Sequence, residues 1–328
     1  MNKIVFFTDL TQLSQALDFF KMSSFAQKIV PVKLHMGEPG NKYFPQPALA
    51  RPVVEELKKV HAKPFLFDTT VAYSGARHTK ARYLKTAAAH GFTVENVGCP
   101  VVIDDTGVPS SVDGRSYEVA AHLKSATHIF ALSHVKGHIQ SGMGGAIKNF
   151  GMGGVTKETK LQIHQGSRPV HQRDACTYCG ICAEVCPFDA IQTKNGIWEY
   201  DKEECFGCGV CVDACKNNAL RFKDADMQYL LACSAKACVQ GKNVLYLNEL
   251  KRIAKGCDCD PHAGPVICPD IGYLVGDDPV AIDKASLDLI NEEKPAIFEK
   301  VNKVDPFKQI KYGEEIGLGS SSYDFIEL

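Results

Sequence analysis

Short apolar runs alternate with amphipathic stretches along most of this chain. KIVFF at residues 3–7 is a compact apolar run closed by a polar turn, the mark of a buried strand. The following TQLSQALDFFKMSSFAQKI puts Leu13, Ala16, Leu17 and Phe20 at helical spacing, with Thr11 as N-cap. VPVKLHM predicts a second strand, GEPGNKYFPQP a Gly/Pro-rich loop, and PVVEELKKVHA a helix with Pro52 near its first turn. KPFLFDTT predicts a third strand ending at Asp68, and HTKARYLKTAAAHGF a helix closed by Gly91. FTVENV, PVVIDD and THIFALSHV predict further strands, with a helix over SYEVAAHLKSA. After Lys223 the alternation resumes. DMQYLLACSAKACVQ predicts a helix, and KNVLYLNEL and PVICPDIGYLV predict strands. DPVAIDKASLDLINEE predicts a helix with Asp278 as N-cap and Pro279 at N1. The alternation predicts an α/β fold, a mostly parallel sheet flanked by helices.

An open α/β sheet binds ligands outside the carboxyl ends of its strands. Polar residues fall at those ends: His35 and Glu38 after the second strand, Asp68 and Arg77 after the third, His134 and His138 after THIFALSHV. Seven glycines then fall between Gly137 and Gly154, both included, with Lys136 just before them and Lys148 among them. Glycine at this density brings backbone N–H groups near a ligand, so the stretch is expected to bind an anion; a hinge or lid is the other reading. It matches neither a P-loop nor a dinucleotide fingerprint. His134 and His138 have the spacing of two metal ligands on one helix face, although Gly137 between them argues for a loop.

The densest chemistry lies between Cys176 and Cys215. Cys176, Cys179, Cys182 and Cys186 follow C-x2-C-x2-C-x3-C with Pro187 next, and Cys205, Cys208, Cys211 and Cys215 repeat the spacing with Lys216 where proline is usual. Zinc knuckles or a disulfide framework are the other uses of so many cysteines, but neither favours this spacing twice over. The run resembles the bacterial two-cluster ferredoxin signature over about fifty residues. The resemblance implies two [4Fe–4S] clusters, one on Cys176, Cys179, Cys182 and Cys215, the other on Cys205, Cys208, Cys211 and Cys186. Between the motifs, IQTKNGIWEY predicts a hairpin turning at Asn195-Gly196, with Trp198 as a packing residue. The domain boundaries follow: an α/β domain of residues 1–165 and 225–328, and an inserted α+β two-cluster ferredoxin-like module at 166–224.

Composition narrows the classes. With 328 residues, 45% hydrophobic and 23% charged, the chain is an ordinary globular protein of about two domains. A net charge of −1 gives no electrostatic case for nucleic acid or a membrane surface. No stretch has the length of a membrane span, and the N-terminal apolar run is broken at Thr8 and Asp9 with no cleavage-site pattern behind it. A cytoplasmic location with reduced thiols is therefore expected for the fourteen cysteines.

Six cysteines remain. Cys257, Cys259 and Cys268 fall within twelve residues, with Asp260 and His262 among them. They read either as a third metal centre, zinc or iron–sulfur, or as buried thiols. Cys99, Cys233 and Cys238 read as core thiols. KLHMGEPGN, DTTVAYSGAR, the glycine-rich loop, KGCDC, PDIGYLVGDDPVAID and GEEIGLGSSSYDFIEL together resemble the domain-of-unknown-function family 362, in its form carrying a ferredoxin insert. The resemblance implies an iron–sulfur protein of anaerobic metabolism and includes the CDC pair in its pattern. The α/β part also looks distantly similar to the N-terminal domain of nickel-dependent lactate racemases, a likeness of fold.

The expected function is electron transfer with a redox protein partner, the clusters feeding a pocket in the α/β domain. That pocket is expected to use His35, His134, His138, Lys148, Asn149 and Asp278, with histidines as proton donors or metal ligands and Lys148 on an anionic small molecule. The alternatives are a non-redox metal-dependent isomerase or hydrolase, and a carrier whose α/β domain is a docking scaffold.

Overall fold

The computed structural model describes residues 2–328. Eight strands form the central sheet: β1 (Asn2–Phe7), β2 (Ile29–Lys33), β3 (Lys63–Asp68), β4 (Val101–Ile103), β5 (His128–His134), β6 (Asn243–Leu250), β7 (Gly272–Gly276) and β8 (Tyr323–Glu327). Their order across the sheet is β8-β1-β7-β6-β5-β2-β3-β4. β7 alone runs against its neighbours β1 and β6; all other pairings are parallel. The sheet is therefore mixed, and the expectation of a mostly parallel sheet fails only at β7.

Both faces of the sheet are covered, and the strands show it by strict alternation. Ile129 and Ala131 of β5 join one core cluster, while Phe130 and Leu132 join the other. Ile4 and Phe6 of β1 separate in the same way from Val5 and Phe7. A period of two delivers alternate side chains to opposite faces. The first face is packed by the helices Met227–Val239 and Pro279–Glu293, the second by Pro47–Lys59 and Lys80–Ala89. Asp278 caps the helix Pro279–Glu293 as its sequence predicts, accepting from the N–H groups of Val280 and Ala281.

Several local expectations are corrected. FTVENV is not a strand: Thr93 caps a single turn, Val94–Val97, by accepting from Asn96 N. SYEVAAHLKSA is mostly not a helix: Arg115–Ala120 is a strand paired antiparallel with Gly107–Val112, and only Ala121–Ser125 is helical. The first predicted helix breaks into the 3-10 turns Leu10–Gln12 and Met22–Phe25 around a short helix, Leu13–Leu17, and the first turn is capped by Asp9. The helix containing Pro52 begins earlier, at Pro47. In PVICPDIGYLV only the second half pairs as a strand, since Val266 makes an isolated bridge to Ala254.

The cysteine-rich segment holds two two-stranded sheets, Pro169–His171 with Leu220–Phe222 and Ile191–Lys194 with Ile197–Tyr200. Two four-residue helices, Ile181–Glu184 and Val210–Asp213, complete it. The second hairpin turns at Asn195 and Gly196, both at positive φ. Trp198 packs as expected, its ring stacked on His171. The segment's buried core is small: Ile191, Cys211 and Leu220.

Candidate functional site

Beyond the carboxyl ends of β2, β3, β5 and β6 lies a cluster of charged side chains removed from solvent. Four pairings organise it. Lys33 Nζ lies 2.9 Å from Asp68 Oδ1, and Arg77 Nε 2.7 Å from Glu38 Oε2. Asp258 receives His134 Nδ1 on one oxygen and Lys136 Nζ on the other, each at 2.8 Å. Charges buried this deeply are tolerated only when paired, because desolvation penalises each one severely.

The glycine-rich stretch is ordered and lies beside this cluster. Lys136–His138 pairs with Gly142–Gly144, and the short helix Ala146–Gly151 follows. Asp283 holds the start of that helix, accepting from Ala146 N at 2.7 Å and Ile147 N at 2.9 Å while also bonding Asn248 Nδ2 at 2.9 Å. A Cβ on Gly145 would sit 2.3 Å from Asp283 Oδ1, so only glycine permits this approach. Burial pushes the Asp283 carboxyl up to about 6, against the three bonds it accepts.

This anchoring presents Lys148 and Asn149 in different directions. Asn149 Oδ1 accepts from Lys33 Nζ at 2.7 Å, and its Nδ2 donates to Leu132 O and Ser133 Oγ. Lys148 Nζ points to Cys257 Sγ at 3.5 Å. Burial opposes the Lys148 charge, but the sulfurs of Cys257 and Cys259 together with Asp258 raise its pKa.

His138 also reaches Cys257. Its Nδ1 receives the backbone N–H groups of Gln140 and Ser141, each at 3.2 Å. A backbone N–H can only donate, so Nδ1 carries no proton and the hydrogen resides on Nε2, free to donate. Burial, with Lys148 nearby, brings the His138 pKa down to about 4 and keeps the ring neutral at neutral pH. The Cys259 N–H adds a contact of 3.5 Å to Cys257 Sγ. The Cys259 thiol, then Lys148 and His138, hold the Cys257 thiol well below the ordinary thiol range despite burial. Cys259 moves the other way, raised by its bond to Cys257, by burial and by that negative charge. Lys148 Nζ and the Cys259 N–H therefore both reach one buried sulfur, with the His138 ring near it, which is how a protein stabilises a thiolate.

The predicted residues divide accordingly. His138 and Lys148 meet at Cys257. His134 is spent on the loop instead: Nδ1 faces Asp258, and Nε2 faces the carbonyls of Lys251 and Arg252. Its role is to fix Asp258, the residue between the two cysteines. His35 lies against Arg77 Nη1 at 2.7 Å, and burial with Arg77 lowers its pKa well below the usual value. Asp278 is not brought to the site; it caps its helix and accepts from Asn2 Nδ2 and Ser320 N. Cys268 has Glu293, Lys294 and Asp270 as its charged neighbours rather than the groups around Cys257. Asp258, Tyr73, Tyr83 and Lys160 were not singled out by sequence. Tyr73 lies between Arg77 and Glu38, Tyr83 reaches Asp68, and Lys160 donates to Thr69 Oγ1 at 2.6 Å. Burial brings Lys160 down to about 7.

The eight motif cysteines divide four and four. Cys186, Cys205, Cys208 and Cys211 line one cavity; Cys176, Cys179, Cys182 and Cys215 line a second. The expectation of two [4Fe–4S] clusters and a third metal centre is nonetheless corrected. Among the described residues, no group of three or more His, Cys, Asp or Glu side chains is gathered so as to hold a metal ion. The sequence spacing places the thiols in the right neighbourhoods, but ligation requires their sulfurs to converge on one point. No helix among the described residues is long and apolar enough to cross a membrane.

The family described as "Domain of unknown function (DUF362)" matches residues 30–288. No curated protein matches the chain. Among solved structures, the lactate racemase apoprotein from Thermoanaerobacterium thermosaccharolyticum is similar at 14% identity and a TM-score of 0.42, over 76% of this chain and 50% of that one. A crystal structure of a protein from Thermotoga maritima is similar at 10% identity and a TM-score of 0.42, over 94% of this chain and 57% of that one. The chain thus spans half the length of the first structure and 57% of the second.

Proposed function

The chain belongs to the DUF362 family, and from that premise we propose that it is a non-redox enzyme of the isomerase or hydrolase kind, using Cys257 as its nucleophile or base on a small anionic molecule. The convergence of Lys148, His138 and Cys259 on Cys257 Sγ carries this reading. A thiolate held by donors in a buried site is a strong nucleophile toward a carbonyl carbon and a competent base toward an acidic C–H. Lys148 and the Nε2–H of His138 would stabilise negative charge developing on a substrate oxygen, in a region where burial strengthens each such interaction. Lys33, Arg77 and Lys136 are already paired with carboxylates, which leaves Lys148 as the cation that would meet an anionic substrate.

Alkylation tests it. With the full chain at neutral pH and limiting iodoacetamide, Cys257 should be labelled before exposed Cys179, as read by peptide mass mapping. Lys148→Met should slow labelling at Cys257 and leave Cys179 unchanged. Labelling of Cys257 no faster than that of Cys179 would refute the thiolate.

A further inference from the structure

We propose that Cys257 and Cys259 form a peroxide-reactive pair, in which Cys257 is oxidised and Cys259 resolves the product as a disulfide within the loop. This rests on the thiolate reading above and adds a modification site to it.

The geometry is already close to the product. Residues two apart have Cα atoms at most about 7 Å from each other, and a turn shortens that span into the range a disulfide accepts. The Cys259 N–H already lies 3.5 Å from Cys257 Sγ, so the two residues are folded against each other. The surrounding loop is held firmly. His134 and Lys136 grip Asp258 between the cysteines, and Asn41 Nδ2 donates to the carbonyls of Cys257 and Asp260. Closing the disulfide therefore asks for side-chain rotation more than for movement of the loop.

Burial selects the oxidant. Cys257 is 8% exposed, whereas Cys259 is only partly buried. A bulky disulfide cannot bring its sulfur to Cys257, but hydrogen peroxide is little larger than water. The Cys257 sulfur attacks one peroxide oxygen and the O–O bond breaks. The departing hydroxide takes a proton from Lys148 and leaves as water, and Lys148 regains its proton from solvent. The product is a sulfenic acid at Cys257. The Cys259 thiol then attacks that sulfur; the S–S bond forms, the S–O bond breaks, and the thiol proton leaves with the hydroxyl as a second water. Two thiols have lost two electrons, and one peroxide has become two waters.

The test uses the reduced full chain and a few equivalents of hydrogen peroxide. Remaining thiols are blocked with N-ethylmaleimide, and the tryptic peptide 256–284 is fragmented in the mass spectrometer. The expected peptide is two hydrogens lighter, blocked only at Cys268, and restored by dithiothreitol. Cys259→Ser should stop at Cys257 sulfenic acid, trapped by dimedone. The proposal is overturned if Cys257 and Cys259 both come through blocked, or if the disulfide joins Cys257 to Cys268. The unsubstituted chain is decisive even if Cys259→Ser does not fold. Iodoacetamide labelling of the same preparation separates the two failures: Cys257 alkylated but never oxidised removes this inference alone, and Cys257 inert to both reagents removes the thiolate reading as well.

Discussion

Asp283→Asn tests whether the helix that presents Lys148 is held by a buried carboxylate with a raised pKa. The carboxyl is fully buried and accepts from Ala146 N, Ile147 N and Asn248 Nδ2. Its pKa rises from 3.8 to about 6, chiefly through burial. A shift of about two units corresponds to about 3 kcal/mol of differential stability at 1.36 kcal/mol per unit. The folded pKa is above the unfolded one, so the native state holds more protons between those values. Stability from this group is fully present below about pH 4 and is lost as pH rises through about 6. Asparagine does not titrate. The stability of the Asp283→Asn protein relative to the unsubstituted chain should therefore rise by about 3 kcal/mol between pH 4 and 7, a relative shift of about 1 M in urea midpoint for an m-value of about 3 kcal/mol/M. Urea unfolding followed by far-UV circular dichroism at closely spaced pH values measures it. Parallel midpoints for the two proteins across that range would refute the assignment of a proton-linked anchor to Asp283.

Further expectations follow from other residues. Asp258→Ala leaves Lys136 and His134 buried without their partner, and should lower stability by about 3–5 kcal/mol in the same unfolding assay. Asp278→Ala removes a helix cap together with the bonds from Asn2 and Ser320, all away from the site, so it should lower stability by about 1–3 kcal/mol and leave the alkylation rate of Cys257 unchanged. Lys160→Met should flatten a rise in stability with pH. The folded pKa of Lys160, about 7, lies below its unfolded value of 10.5, so the unfolded chain binds more protons between the two and stability climbs across that window.

The site was partly legible because an α/β chain delivers polar residues to strand ends in a recognisable rhythm. His138 and Lys148 follow β5 within a glycine-rich stretch, and both arrive at the same sulfur. Asp258 was overlooked because two cysteines flank it and draw attention, yet its carboxylate is what fixes their loop. Lys160 gave no local signal: it is one lysine on an amphipathic helix, Lys157–Gly166, and only the fold turns it inward to Thr69. Asp278 was legible as an N-cap, and nothing in its sequence neighbourhood distinguishes a capping carboxylate from a catalytic one. The hairpin over residues 107–120 could have been found, since Asp113-Gly114 is a turn signal and Tyr117 and Val119 alternate with polar residues.

By itself the sequence determined the layered α/β architecture, because alternating apolar runs and amphipathic helices have few ways to bury both faces of a sheet. It determined the capped helix at Asp278 and the turn at Asn195-Gly196. Only the tertiary structure decided that β7 runs against its neighbours, since strand direction depends on how the connection from β6 folds back. Only the tertiary structure joined His138 and Lys148 of the glycine-rich stretch to Cys257, which lies more than a hundred residues further along the chain. A hydrogen-bond donor and its acceptor more than a hundred residues apart leave no periodic trace in the chain; their meeting is fixed by sheet order, and sheet order by the packing of two cores at once.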